Sequence, residues 1–436
     1  MVKIVIINGD AGTGKSHKLS KYINNAKINN KSFIALAYTH SAINNLYNIY
    51  CSDFPNEPIE KDYFKTIHSY FHIDTTTNKI LSHAFDNVEY MFIDEYSLIS
   101  VQLLDIIKNI IKSHVNKLIL CGDYKQLKTI DAKENIEYDK LEKYFNDLKE
   151  LNKNAITAIK HFDNSILSTD FIKNNIANIV MLNVCLRSNE KIKNMIKKIC
   201  FDEYNEEFIK NNICCLSTAI DKIKRENYTF IASKYKYLQR IHNMLNDGED
   251  TINIIQNNLP SSYGLSTLHL IKNEYITITE NFTESGELFT NGDKLKFIDY
   301  NSNFKSMTLY NEELNKYSII HPIAKNEFNK IIKIDNIKCL GMVEENVYVY
   351  FPVVPENLIT FHKSQGRTLK KVIICLNSLF DFAMLYTGLS RAAEDVLLCS
   401  VEEGNKTELK NINSVYSYLN TLVKCELLEN HKIINK

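Results

Sequence analysis

Gly9-Asp10-Ala11-Gly12-Thr13-Gly14-Lys15-Ser16 is the stretch on which the fold of this chain turns. An apolar run, Val2 to Ile7, precedes it and reads as a buried strand. The segment after it, His17 to Asn25, spaces Leu19, Tyr22 and Ile23 as a helix would. Strand, glycine-rich loop and helix in that order complete the G-x-x-x-x-G-K-[ST] pattern. The glycines let the backbone curl until several N–H groups face one anion, and the helix N-terminus adds its dipole. Gly9, Gly12, Thr13 and Gly14 are therefore read as a phosphate cradle. Lys15 is expected to reach the β- and γ-phosphates, and the Ser16 hydroxyl to hold Mg²⁺.

Outward from the loop the pattern stays α/β. Ser32 to Tyr38 is a second apolar strand, ending at Thr39-His40, where a helical pattern begins. Ligands of open α/β sheets bind beyond the carboxyl ends of strands, which makes Thr39 and His40 candidate contacts. After a loop marked by Pro55 and Pro58 comes Thr66-Ile67-His68-Ser69, then a polar stretch, Thr75 to Lys79, suited to the turn of a hairpin. Val88 to Ile93 is a third strand and runs straight into Asp94-Glu95. Downstream of a phosphate loop, such a strand end is the expected place for a Mg²⁺ carboxylate (Asp94) and a water-activating one (Glu95). Lys117 to Cys121 is a fourth strand, delivering Gln126 to a position where it can sense the γ-phosphate.

The expected organisation is two tandem α/β domains, the first carrying the phosphate loop. Residues 1–180 form the first, with a short insertion at about 63–86 and a Lys- and Asn-rich helical segment at about 131–170. Residues 181–296 and 358–425 form the second. Residues 297–357 hold short β-branched and aromatic runs between turns and read as a β-rich insertion. The polar tail is expected to be helical.

Composition sets bounds. Of 436 residues 44% are hydrophobic, enough for a large core, and the net charge is zero, so any nucleic-acid surface must be local. The ten cysteines include the adjacent Cys214-Cys215 but no C-x-x-C, which predicts a reducing compartment and no zinc site. No apolar run approaches the ~20 residues of a membrane span. With a core strand at its start, the chain is expected to carry no signal or transit peptide and to be soluble and intracellular. The weight of Asn, Lys and Ile matches an AT-rich genome, such as that of a virus, which would place it in host cytoplasm or nucleus.

The ordered motifs AYTHSA, TIHS, IDEYS, GDYKQL, LRSN, TFHKSQGRT and YTGLSRA, following the phosphate loop, resemble a superfamily 1 helicase. The branch they resemble most contains RecD, the phage Dda helicase and the PIF-type helicases. The resemblance runs from Gly9 to Arg391. It implies ATP and Mg²⁺ between two RecA-like domains and movement on single-stranded DNA in the 5′-to-3′ direction, unwinding duplexes in replication, recombination or repair. Ser16 and Asp94 would be the metal ligands, Glu95 would position water, and Gln126 would couple the γ-phosphate to motion. Arg187 and Arg391 would reach across from the second domain, and Gly366 would approach the nucleotide. Thr39, His40, Thr66, His68, Thr360 and His362 match positions that touch the nucleic-acid backbone. Phe71 and Phe361 are able to stack on bases but are assigned to core packing. A monomer is expected, with replication proteins as candidate partners. Two alternatives stay open: a viral RNA helicase, and an NTPase switch that does not unwind.

The chain also departs from the family. The upstream glutamine motif that reads adenine does not precede Val2, which leads to an expectation of weak base selectivity. Lys128-Thr129 stands where prolines usually follow Gln-Leu. The hairpin between His68 and Asp94 is short, so a strand-separating pin built on it would be small.

Overall fold

The computed structural model describes residues 2–74, 77, 79–81, 85–128, 153–201, 211–245, 251–256, 259–260, 264–326, 331–332, 340–344, 346–379, 381–401 and 412–435. The tip of the expected hairpin (75, 76 and 78) and most of the expected helical segment (129–152) lie outside them. Apolar runs such as Phe33–Ala37 are buried along their whole length. Such strands need cover on both faces, which is the signature of a parallel sheet sandwiched between helices. The first sheet has seven described strands, all parallel, in the order Ile433–Asn435, Ile176–Leu182, Lys3–Gly9, Val115–Gly122, Val88–Asp94, Phe33–Ala37 and Phe64–Thr66. A second parallel sheet runs Leu358–Thr360, Thr229–Ala232, Leu369–Cys375, Ala392–Cys399 and Ile213–Cys214. Among the described residues no helix is long and apolar enough to cross a membrane.

Three strands end in one local device. Phe33–Ala37, Phe64–Thr66 and Leu358–Thr360 each lead to a threonine that caps a helix, with a histidine in the first turn. Thr39 accepts from the N–H of Ala42 at 3.1 Å, Thr66 from Ser69 at 3.2 Å and Thr360 from Lys363 at 3.4 Å. Threonine is favoured there because its hydroxyl satisfies a donor that the helix cannot. The helix Lys15–Ile28 is the contrast. Its cap is Gly14 in the left-handed region, with no side-chain hydrogen bond, so its leading N–H groups are kept for a ligand.

The element boundaries differ from the expected ones in three places. The strand Ile176–Leu182 pairs with Lys3–Gly9, so the first sheet runs past residue 180. The antiparallel region starts well before 297, because Tyr275–Ile278 pairs with both Lys294–Asn301 and Val353–Pro355, and Thr251–Ile255 already pairs with Thr267–Ile271. Finally, the tail does not extend the second sheet. Helix Ile412–Val423 buries Val415, Tyr416, Leu419, Leu422 and Val423. It packs on Lys153–Asp163, which buries Ala155, Ala158, Ile159 and Phe162. Strand Ile433–Asn435 then joins the first sheet beside Ile176–Leu182. The second sheet and its β-rich insertion thus lie within the first unit's sequence, entered after Leu182 and left after Val401.

Ile73–Asp74 pairs antiparallel with Lys79–Ile80, a hairpin two residue pairs long.

Candidate nucleotide site and nucleic-acid groove

The phosphate loop opens onto a cavity of about 410 Å³, lined from the first sheet by Gly12, Gly14, Lys15, Ser16, Glu95 and Gln126, and from across by Arg187, Thr368 and Arg391. Lys15 Nζ donates to the carbonyls of Gly9 and Asp10, both at 2.9 Å, which holds the ammonium over the loop. Gly12 has φ +78°, and a Cβ there would lie 2.6 Å from Arg187 Cβ. Its carbonyl accepts from the N–H groups of Leu186 and Arg187 at 2.7 and 3.2 Å, so the segment leaving the first sheet is stitched onto the loop.

Ser16 Oγ donates to Asp94 Oδ2 at 2.8 Å. That hydroxyl and carboxylate form a hard-oxygen pair suited to Mg²⁺. Burial, and then the charge of Glu95, push the Asp94 carboxyl up to about 6, against the Ser16 hydrogen bond. A carboxylate held this unfavourably gains from a cation beside it. Glu95 has φ 54°, and its N–H donates to Asp94 Oδ1 at 3.0 Å. Its Oε2 is buried, lacks a hydrogen-bond partner and belongs to a residue lining the cavity. An acceptor left unpaired at that position fits a base that takes its partner, a water, together with the substrate.

The two sheets meet through polar contacts at this cavity. Arg391 is 1% exposed, and its Nη2 donates to Gln126 Oε1 at 2.8 Å. Gln126 Nε2 donates to Asp123 Oδ2 at 3.4 Å. Tyr386 donates its hydroxyl to the same Asp123 oxygen at 2.6 Å and accepts from the N–H of Ala11 in the phosphate loop at 3.3 Å. The Leu127 N–H donates to Thr387 Oγ1 at 3.0 Å, and Gln365 Nε2 donates to the Leu127 carbonyl at 2.9 Å. Arg187 Nη1 donates to the Ser390 carbonyl at 3.3 Å. Burial, and next the charge of Arg391, lower the Arg187 guanidinium to about 10. Two guanidinium groups crowded at one end of a cavity fit an anion arriving between them.

Gly366 does not line this cavity. Its φ is +76° and it packs against Ala42, where a Cβ would stand 3.4 Å from Ala42 Cβ. Thr368 is the residue of that stretch that faces the cavity. Asp123 and Tyr386 stand inside the motifs GDYKQL and YTGLSRA but were given no role there, and His17, Asn45 and Ile49, which also line the cavity, were not singled out.

A second cavity of about 580 Å³ lies between the units and collects Thr39, His40, His68, Thr360 and His362. Thr66 is not among its lining residues; it is buried and holds the turn that carries His68. Phe71 and Phe361 are both fully buried in the core, as expected. Burial lowers all three groove histidines from their ordinary value, so they face the cavity as neutral imidazoles at pH 7. The β-rich insertion supplies Thr277, Asn281, Asn291 and Gly292, of which Asn291-Gly292 shows in the sequence only as a turn signal. Lys363 and Arg367 add two cations. Lys363 Nζ donates to Tyr235 Oη at 2.8 Å, and Arg367 Nη2 to the Gly292 carbonyl at 3.3 Å. Burial pushes Lys363 down to about 8, helped by Arg367 and Lys325 and opposed by Glu280. Half-buried cations bound to neutral oxygens have room for an anionic partner.

Residues 1–131 match a family model described as an AAA domain. Solved structures extend the likeness across the chain. One, of Pif1 helicases unwinding forked duplex DNA, is 18% identical and superposes with a TM-score of 0.59 over 96% of this chain and 94% of that one. Bacteroides Pif1 in complex with ADP-AlF3 and single-stranded DNA is 18% identical, with a TM-score of 0.54 over 96% and 94% of the two chains. Candida albicans Pif1 is 15% identical, with a TM-score of 0.53 over 97% and 96%. This chain has the Pif1 helicase fold. The two-domain α/β architecture agrees with the motif order read from Gly9 to Arg391, and it gives the nucleotide cavity and the groove their place on either side of one interface.

Proposed function

We propose that this protein is an ATP-dependent DNA helicase that moves along single-stranded DNA, 5′ to 3′, and that the cavity at the phosphate loop is its hydrolytic site. The observation that carries this reading is the bridge from Gln126 to Arg391. It joins the phosphate-loop sheet to the second sheet at the point where a γ-phosphate would lie. Breaking or remaking one bond there changes how the units sit, and the same units wall the groove that would hold the strand.

In the proposed cycle the loop N–H groups and Lys15 take the β- and γ-phosphates, and Ser16 and Asp94 are the groups that would hold Mg²⁺. That ion supplies charge neutralisation to the phosphates. Glu95 accepts a proton from the attacking water through its unpaired oxygen. Arg187 and Arg391 neutralise charge on the transferring phosphoryl, an effect worth ~10³–10⁵ in rate for arginines so placed. As Arg391 turns to phosphate, Gln126 Oε1 loses its donor, and the Leu127 contacts to Thr387 and Gln365 pass the change to the turn carrying His362. The three capped helix starts, with neutral histidines, and Lys363 and Arg367 would hold backbone phosphates without reading bases.

Forked substrates with 5′ or 3′ tails, in DNA and RNA versions, test the proposal. Displacement on the 5′-tailed DNA fork is expected. Unwinding of RNA alone, or hydrolysis with no displacement or movement, would overturn it in favour of an RNA enzyme or a non-unwinding switch. Lys15→Ala should abolish strand-stimulated turnover, and retention of near-normal turnover would show that the site lies elsewhere.

A further inference from the structure

Cys214 and Cys399 hold paired positions on neighbouring parallel strands, Ile213–Cys214 and Ala392–Cys399. Paired residues of adjacent strands point to the same face and lie about 4.8 Å apart, within the ~4.4–6.8 Å Cα window that a disulfide spans. The proximity of the two side chains is the leading cause that lowers the Cys214 thiol and raises the Cys399 thiol. Their exposure is also divided. Among the described residues Ile213–Cys214 is an edge strand, and Cys214 is half-buried, whereas Cys399 is fully buried. Beside them Cys215 is exposed, with Sγ 3.1 Å from Ser217 Oγ and 3.0 Å from Thr218 Oγ1. No disulfide joins the described cysteines.

We propose that Cys214 and Cys399 are a peroxide-responsive dithiol that closes to a reversible disulfide at the edge of the second sheet. The Cys214 thiolate attacks one oxygen of hydrogen peroxide, the O–O bond breaks, and hydroxide leaves to be protonated by solvent. The Cys399 sulfur then attacks the Cys214 sulfenic sulfur. The new S–S bond forms as the S–O bond breaks, and the Cys399 proton leaves with the hydroxyl as water. Two thiols are oxidised and one peroxide is reduced to two waters. The bridge would stand on an edge strand with one side open, where a reducing thiol can reach it. It would fix the two-residue edge strand, and the helix Leu216–Glu226 that follows, to the strand that begins beside Arg391.

The test treats the whole protein with hydrogen peroxide, blocks remaining thiols with iodoacetamide in denaturant and maps the peptides by mass. Cys214 and Cys399 should lose alkylation together, joined in one cross-linked peptide lighter by two hydrogens, and dithiothreitol should restore both. Cys399→Ser should leave a Cys214 sulfenic acid that dimedone traps, whereas Cys215→Ser should leave the cross-link intact. Cys399 still fully alkylated in the wild type after Cys215 has been oxidised, or Cys214 found bridged to Cys215, would overturn the proposal. The wild-type map decides by itself if the Cys399 variant does not fold.

Discussion

Glu95 sits at φ 54°, a left-handed conformation that costs a non-glycine residue roughly 1–2 kcal/mol, and the turn holds it there by the N–H bond to Asp94. The strained residue lines the cavity and keeps one carboxylate oxygen buried without a partner. Glu95→Gln should lower kcat by about 10²-fold or more while leaving KM for ATP nearly unchanged, because the amide keeps the shape and loses the base. Steady-state kinetics with saturating single-stranded DNA would check this. Gly12 gives the complementary case. Gly12→Ala would put a methyl 2.6 Å from Arg187 Cβ at a positive φ, so the segment bearing Arg187 could not stay stitched to the loop. It should lose turnover by a larger factor than nucleotide binding, measured as kcat against the Kd of a labelled nucleotide. In the groove, Lys363→Ala should reduce the slope of log K against log salt for single-stranded DNA by about 0.7. His362→Ala should weaken binding without moving that slope, since its imidazole is already neutral. Fluorescence anisotropy across a salt series separates the two.

At the scale of elements, the helix Tyr235–Leu245 and the strand Thr267–Ile271 are joined by a titratable contact. His242 is fully buried, and its Nε2 accepts from the N–H of His269 at 2.9 Å. Burial, with His269 beside it, lowers it to about 3. The folded pKa lies below the unfolded value of about 6.5, so the contribution is complete above that value and is lost as pH falls from there towards 3. The loss is about 1.4 kcal/mol per pH unit. His242→Gln keeps an acceptor without the titration, and its stability to urea should fall less steeply than the wild type's between pH 6 and 4. Other elements show what a sequence can and cannot reveal. The phosphate loop, Asp94-Glu95 and the strands beside them were legible because buried parallel strands are apolar runs and their ends carry motifs. Phe64–Thr66 was missed as a strand because it is three residues long with an exposed Lys65. The β-rich region was started too late because short antiparallel strands are set by partners far along the chain, as Tyr275–Ile278 is by Val353–Pro355. Gly366 was assigned by likeness to a motif, and only its packing on Ala42 shows that its left-handed backbone serves the approach of two units.

For the whole molecule the decisive unforeseen element is the tail. Tyr416 is fully buried between the units, its ring against Phe382 and Tyr386, with its hydroxyl donating to the Lys125 carbonyl at 3.4 Å. Asn420 accepts from the Tyr124 hydroxyl at 2.8 Å. Tyr416→Ala should cost roughly 3–5 kcal/mol, as truncation of a buried aromatic does, and lower the thermal midpoint read by calorimetry. It should also slacken the Gln126 segment, so that hydrolysis without a strand rises relative to strand-stimulated hydrolysis. The stripe Val415, Tyr416, Leu419 and Leu422 was present in the sequence, but nothing local says that it packs on Lys153–Asp163 rather than on the sheet just completed. The return of the tail has a mechanical consequence. The second unit leaves the first unit's sequence after Leu182 and returns to it by Ile412, so the chain joins the two units twice rather than once. A unit held at both ends of its sequence has fewer ways to part from its neighbour than one held at a single end, and separating the two means working against both joins.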